Sequence, residues 1–406
     1  MAVNLEPPNN LLPVAGVRLG VAAAAIKYTG RDDLLIIEVA AGATAAAVFT
    51  KSSFRAAPVQ ISARHLELVS PRALVINSGN ANAATGEPGR NDALACCAAT
   101  ATALGVRTEE VLPFSTGVIG VPLPLARMTA AVPTAVDALR ADGWDAAART
   151  IMTTDTVPKA RSRRVQLGDR AVVITGMCKG AGMMKPDMAT MLAFVATDAA
   201  VETALLRRMV PKVADKSFNR VTIDGDTSTN DSFVVLASGA SGMAPIARES
   251  DVRYPALFAA LCELCAELAQ AIARDGEGAT RFVTVQVNGG RTEEEARKVA
   301  FAIAESPLVK TAMFAGDANW GRFCMAIGRA GVVDLDTAGV SLFLDDVRVA
   351  EHGMISPVYT EAAGTAVMAR AEYVVRVELG RGTAAETVWT SDFSYDYVKI
   401  NAEYRT

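Results

Sequence analysis

Short apolar runs of strand character alternate with helix-period segments along nearly the whole chain, and several are joined by connections of hairpin length. This alternation is the tightest constraint on the fold. Neighbouring parallel strands need a crossover of a dozen or more residues, so hairpin-length links force antiparallel pairs into the same sheets. The pattern predicts an α/β fold of mixed sheets covered by helices, not one uninterrupted parallel sheet. Strands are expected at 33–39 and 44–50, as an early pair joined through Ala-Ala-Gly-Ala, and at 73–77, 111–114 and 191–197. A hairpin over 165–175 turns at Leu167-Gly168-Asp169. Helices are expected at 91–104, through much of 123–152 with a break near Pro133, and at 202–217, 253–274, 292–305 and 361–371. Further strands are expected at 233–238, 282–287, 340–344, 373–379 and 387–392.

Composition narrows the function classes. A chain of 406 residues predicts two or three domains at roughly 150 residues each. Lys and Arg total 40 against 44 Asp and Glu, a balance that excludes the basic footprint of a dedicated nucleic-acid binder. No apolar run is read as reaching the ~20 residues of a membrane span. The first residues, Met-Ala-Val-Asn-Leu-Glu-Pro-Pro, carry neither a basic n-region nor an apolar h-region. A soluble cytoplasmic protein with no nucleic-acid or membrane partner is the expectation.

Histidine is scarce, with only His65 and His352. A His-rich metal site is therefore excluded, and any His-based triad must use one of these two. His65 reads as part of an exposed helical or turn segment and His352 as a turn after a strand; both are read as structural. The six cysteines read as thiols. Cys262 and Cys265 have metal half-site spacing, but they lie in an apolar helical stretch with no second pair, so they are assigned to the core. Cys178 keeps some weight as a nucleophile because it adjoins the most unusual loop.

That loop is Gly176-Met-Cys-Lys-Gly-Ala-Gly-Met-Met-Lys-Pro-Asp-Met-Ala-Thr-Met-Leu192. Gly180 and Gly182 permit close backbone approach, and Lys179 and Lys185 bring cations. A phosphate loop would end in Gly-Lys-Ser/Thr, which is missing here. Thr190 is the notable residue. Were the Ala189–Thr190 bond cut, Thr190 would carry both a hydroxyl and a free α-amine of pKa about 7.7–8.0, a base at neutral pH that needs no histidine. Ser115-Thr116-Gly117 leaves a strand with a hydroxyl and an uncrowded backbone N–H, two donors suited to an oxyanion. The polar run 224–231 suggests metal ligands, yet is as easily a hydrogen-bonded turn.

Residues 179–192, Lys-Gly-Ala-Gly-Met-Met-Lys-Pro-Asp-Met-Ala-Thr-Met-Leu, resemble the signature of the ornithine acetyltransferase family, the bifunctional glutamate N-acetyltransferases of arginine biosynthesis. Ordered segments along the chain extend the resemblance: Asn77-Ser-Gly-Asn-Ala-Asn-Ala, Ser115-Thr-Gly-Val-Ile-Gly, Met152-Thr-Thr-Asp-Thr, Ile223-Asp-Gly-Asp-Thr-Ser-Thr-Asn-Asp, Arg274-Asp-Gly-Glu-Gly-Ala-Thr, Ala315-Gly-Asp-Ala-Asn-Trp-Gly-Arg and Asn401-Ala-Glu-Tyr-Arg-Thr. The family more usually has Asn where this chain has Asp187.

The resemblance implies an αββα-type sandwich of mixed sheets with a smaller C-terminal α/β domain. It implies self-cleavage between Ala189 and Thr190 into an α chain, residues 1–189, and a β chain. Residues 190–280 would complete the sandwich and 281–406 would form the smaller domain, its tail returning to the active site. Thr190 would be nucleophile and base, Thr116 and Gly117 the oxyanion hole, and Thr153, Lys179, Thr190, Glu277, Asn401 and Thr406 the substrate contacts. The implied reaction passes acetyl from N2-acetylornithine to glutamate, with no metal and no bound cofactor. Acetyl-CoA stands open as a co-substrate, and an α2β2 assembly is implied. Asp317, Asn319 and Trp320 match the family without an assignable role. Two alternatives are a self-processing aminopeptidase or amidohydrolase of similar fold, with water as acceptor, and a metabolite-binding regulator without turnover.

Overall fold

The computed structural model describes residues 2–185 and 191–403. Two sheets stack face to face, and a third stands apart. The first has the order β1 (Val17–Ala22), β2 (Leu34–Val39), β4 (Ala73–Asn80), β5 (Val111–Val118). Its last pair, β4 and β5, is parallel and the others antiparallel. The second has the order β3 (Thr44–Phe49), β9 (Ser232–Ala237), β8 (Leu192–Thr197), β7 (Arg170–Lys179), β6 (Lys159–Leu167), with only β8 and β9 parallel. Leu35, Ile37, Leu74, Ile76 and Phe114 from the first sheet meet Met177, Phe194, Ala196, Val234 and Leu236 from the second in one buried layer. The rings of Phe114 and Phe194 meet edge to face, centroids 5.1 Å apart.

Helices cover both outer faces. The strand period of two sends alternate residues outward, and those of the first sheet are buried by α1 (Ala57–Leu68), α2 (Gly86–Leu104) and α3 (Leu125–Asp137). A short helix, α4 (Trp144–Thr150), plugs the edge with Trp144. The second sheet is covered by α5 (Thr203–Asp215) and α6 (Tyr254–Arg274). The architecture is thus an αββα sandwich. The third sheet, order β13 (Met354–Ile355), β12 (Val347–Glu351), β11 (Ser341–Leu344), β14 (Glu372–Glu378), β10 (Phe282–Gly290), β15 (Ala384–Ser391), has its own core with α7 (Glu293–Ala304), α8 (Pro307–Ala315), α9 (Trp320–Gly328) and α10 (Glu361–Met368). Asn319 caps α9, accepting from the Arg322 N–H at 3.2 Å, while its amide donates to Asp317 at 3.1 Å. These residues thus have a local structural task. A last helix, α11 (Tyr395–Ala402), follows β15 and leads back to the sandwich.

Several local expectations are corrected. The strands at 33–39 and 44–50 are not a pair: β2 is flanked by β1 and β4 and has no free edge, so β3 crosses to the second sheet. Helix α3 runs through Pro133 and ends at Asp137. Pro133 lies on the exposed side, where the carbonyl it leaves without an intrahelical partner can meet water, while Met128, Val132 and Ala135 are buried. By length and apolarity α6 could cross a membrane, contrary to the sequence reading. Here its Leu257, Leu261, Leu264, Leu268 and Ile272 are core residues against the second sheet. His65 is buried, not exposed, and its Nδ1 lies 2.8 Å from the Val111 carbonyl oxygen. The strands read as ending at Asn77 and Phe114 continue to Asn80 and Val118, because their small residues stay paired to each other.

Phe194 spans the layer between the stacked sheets, so Phe194→Ala is expected to cost about 3–5 kcal/mol in denaturant-induced unfolding. A loss below about 1 kcal/mol would contradict the two-sheet core.

Candidate active site

The polar end of the sandwich gathers side chains from both sheets. Lys179 is the last residue of β7, and it is 4% exposed. Its Nζ donates to Thr153 Oγ1 at 2.6 Å and to Thr116 Oγ1 on β5 at 3.3 Å, crossing from one sheet to the other. Burial lowers the Lys179 pKa, opposed by attraction to Asp155, Glu277 and Asp231. An ammonium has protons only to give, so both hydroxyls accept from it and keep their own protons for another partner.

The end of β5 is shaped by two facing glycines. Gly117 has φ of +139° and Gly79 opposite has φ of +123°. A Cβ on Gly117 would fall 2.2 Å from the Gly79 carbonyl carbon, so no other residue fits without parting β4 from β5. Asn230, in the loop leading into β9, fixes this end by donating to the carbonyls of Ala81 at 2.6 Å and Ser115 at 2.9 Å.

Glu277 comes from the turn after α6. Its N–H donates to Ala181 O at 2.7 Å, tying that turn to the glycine loop. Gly182 lies directly on the carboxylate; a Cβ there would be 2.3 Å from Glu277 Oε2. Gly278, at φ of +68°, admits α11 equally closely, since a Cβ would meet Tyr397 N at 2.4 Å. Along α11, Asn401 reaches back to donate to Glu277 Oε2 at 2.9 Å. Thr116, Gly117, Thr153, Lys179, Glu277 and Asn401 therefore line one cavity. A neighbouring cavity shares Gly117 and Thr153 with it and is lined by Tyr28, Arg31 and Glu403.

Ala189, Thr190, Asp187 and Thr406 lie outside the described residues. Covalently next to Thr190, the Met191 N–H donates to Asp231 Oδ1 at 3.1 Å. Burial raises the Asp231 carboxyl well above its ordinary range.

Other candidates leave the site. Cys178 is buried and its thiol is pushed up to about 12 by burial, which removes it as a nucleophile. Asp224 is spent on the backbone N–H groups of Met183 at 2.6 Å, Met184 at 2.7 Å and Asp226 at 3.2 Å, so the 224–231 run begins as a hydrogen-bonded turn. Lys185 pairs with Glu305 at 3.4 Å. Sequence reasoning missed Asn230 as a lining residue, and it missed Asp155, Lys159 and Asp275 behind the cavity. Asp155, Asp275 and Asn230 do lie in segments matching the family, and Lys159 follows Asp155 by four residues, but no local pattern joins them.

The corner between β15 and α11 holds another buried lysine. Lys310 of α8 donates to Thr390 Oγ1 at 2.9 Å and to the Ser391 carbonyl, and its own carbonyl accepts from Phe393 N at 3.2 Å. Burial lowers its pKa to about 7, against attraction to Asp392, Asp224 and Glu305.

One cavity thus holds the amine of Lys179 and the carboxyl group of Glu277, beside the Thr116 hydroxyl and Gly117. The chain belongs to the ArgJ family, whose model matches residues 18–406. Relatives named arginine biosynthesis bifunctional protein ArgJ are 54% identical in Methylococcus capsulatus and 55% identical in Neisseria meningitidis, covering 100% of both chains in each case. A crystal structure of the protein of that name from Bacillus halodurans is 37% identical, covering 52% of this chain and 97% of its own, with a TM-score of 0.49.

Lys310 supplies a pH test. Unfolded lysine titrates near 10.5 and Lys310 in the folded protein near 7, so across this window the unfolded chain holds a proton that the native one lacks. Its contribution to stability therefore rises with pH from about 7 to 10.5. Denaturation of wild type and Lys310→Met should differ in slope by roughly 1 kcal/mol per pH unit there, and parallel pH dependences would contradict the shift.

Proposed function

We infer that the protein is a self-processing acetyltransferase of arginine biosynthesis, moving acetyl from N2-acetylornithine to glutamate through an ester on Thr190. The carrying observation is the pairing of Lys179, between Thr116 and Thr153, with Glu277 and Asn401 on the same cavity. The ammonium suits a substrate carboxylate and the carboxylate suits the amino group at the other end of an ornithine-like molecule. Full-length relatives named for arginine biosynthesis support the reading.

Self-cleavage begins when Thr190 Oγ attacks the Ala189 carbonyl and the acyl group shifts from nitrogen to oxygen. Water then cleaves the ester, leaving an Ala189 carboxylate and a Thr190 with free hydroxyl and α-amine. In transfer, that amine takes the hydroxyl proton as Oγ attacks the acetyl carbonyl. Thr116 Oγ1–H and Gly117 N–H hold the oxyanion; Thr116 can donate because Lys179 occupies it only as an acceptor. The tetrahedral intermediate collapses, the amine of ornithine leaves with the proton, and acetyl-Thr190 remains. The glutamate amine attacks this ester, N-acetylglutamate departs, and Oγ regains its proton.

Thr153 and Thr406 complete the substrate contacts in this reading. Residues 1–189 form the α chain, 190–280 complete the sandwich, and 281–406 make the smaller domain. The word bifunctional in the relatives' names supports acetyl-CoA as a second donor, with no bound cofactor. An α2β2 assembly in the cytoplasm completes the proposal.

Initial-rate kinetics with N2-acetylornithine and glutamate should give parallel double-reciprocal lines. The active protein should run as two fragments on a denaturing gel, and Thr190→Ala as one inactive band. Intersecting lines, or full activity from an uncut chain, would overturn the mechanism.

A further inference from the structure

Behind the cavity lies a buried charge cluster that the catalytic steps above leave unused. The side chains of Asp155 and Lys159 are 0% exposed and that of Asp275 is 1% exposed. Lys159 Nζ donates to Asp155 Oδ1 at 2.7 Å, Asp275 Oδ2 at 2.6 Å and Val157 O at 3.3 Å, so its three protons have three acceptors. The remaining capacity of Asp155 is spent on the backbone of the site. Its Oδ1 also accepts from Gly180 N at 2.8 Å, and its Oδ2 accepts from Thr153 N at 3.1 Å. Asp275 accepts from the N–H and hydroxyl of Thr156 and from Val157 N, and it lies two residues before Glu277.

We propose that Asp155 is a positioning residue of this site: clamped by Lys159, its carboxylate fixes the backbones of Thr153 and Gly180, and so sets where the Lys179 ammonium meets the hydroxyls of Thr116 and Thr153. The proposal rests on the acetyl-transfer reading above. Thr153 and Lys179 belong to separate segments, the first in a loop and the second at a strand end, and one carboxylate bonds to the N–H of Thr153 and to that of the residue following Lys179. A buried ion pair is weak support for stability as such, and apolar replacements are often neutral. What distinguishes this pair is that both oxygens of Asp155 hold backbone groups, one of the lining residue Thr153 and one of Gly180, next to the lining residue Lys179.

The charges also bear on Lys179. Burial disfavours the anion of Asp155, but Lys159, Lys179 and the Gly180 N–H outweigh it and hold the carboxyl below the ordinary range. Asp155 thus stays anionic and counters the desolvation of Lys179. The groups facing Lys179 are Asp155, Glu277 and Asp231, which favour its charge, and Lys159, which opposes it.

Asp155→Asn keeps the size but turns one acceptor edge into an N–H edge, which must face Lys159 or a backbone N–H. With the Lys159–Asp275 pair intact, kcat/KM should fall about a hundredfold, and the alkaline limb of its pH profile should move to lower pH as Lys179 loses an attracting anion. Asp155→Glu keeps the charge while displacing the oxygens by a methylene. It should lose about tenfold with the alkaline limb in place, which separates positioning from charge even if the Asn variant does not fold. Asp275→Asn touches neither Thr153 nor Gly180; it should lower Tm and leave the alkaline limb where it was. Wild-type enzyme assayed alongside keeps the two readings apart, since its own failure to transfer acetyl would sink the reaction and not the positioning role. An unmoved alkaline limb in a folded Asp155→Asn, or wild-type kcat/KM in Asp155→Glu, would overturn the proposal.

Discussion

A lysine taken out of water joins the two sheets at the end where chemistry is proposed, and much of the structure answers to that fact. An ammonium in the interior persists only where anions and acceptors compensate its lost hydration. Lys179 finds acceptors in Thr116 and Thr153 and carboxylates in Asp155 and Glu277. These come from β5, from the 153–157 segment and from the turn after α6. Distant parts of the chain are thereby held at one point, and the hydroxyls that accept from Lys179 are left with protons to donate into the cavity.

Close backbone approach is the second requirement. Gly79 and Gly117 let β4 and β5 stay paired past the point where side chains would separate them. Gly182 and Gly278 let the glycine loop and α11 close on Glu277 from two sides. Helix α11 belongs in sequence to the third sheet, yet its Asn401 bonds Glu277 in the sandwich. Its starting corner is held by the contacts of Lys310 with Thr390, Ser391 and Phe393, and Ser394 caps its first turn.

The layered α/β class, most second-half elements and the chemistry-bearing loops were legible because they rest on local signals: period, glycine placement, and hydroxyls at strand ends. Thr116, Gly117 and Lys179 stand out in the sequence itself and Thr153, Glu277 and Asn401 only through the resemblance, and the fold brings all six to one cavity. Illegible features depend on contacts far apart in the chain. That β3 pairs with β9 and not with β2 is decided by which edges the sheet leaves open. The role of Lys159 leaves no local trace because its partner Asp275 is 116 residues away. His65 and α6 misled for a related reason, since neither exposure nor membrane fit can be read from composition once a helix is packed on a sheet.

The central claim is that acetyl transfer runs through one hydroxyl at a newly exposed chain start, served by the end of the sandwich that Lys179 organises. Its most direct test is intact-mass analysis of the protein quenched during incubation with N2-acetylornithine and no glutamate. The account predicts two chains, with the one beginning at Thr190 heavier by a single acetyl group that disappears when glutamate is added. An uncut chain that still turns over, or an acetyl group that maps elsewhere and survives glutamate, would contradict it.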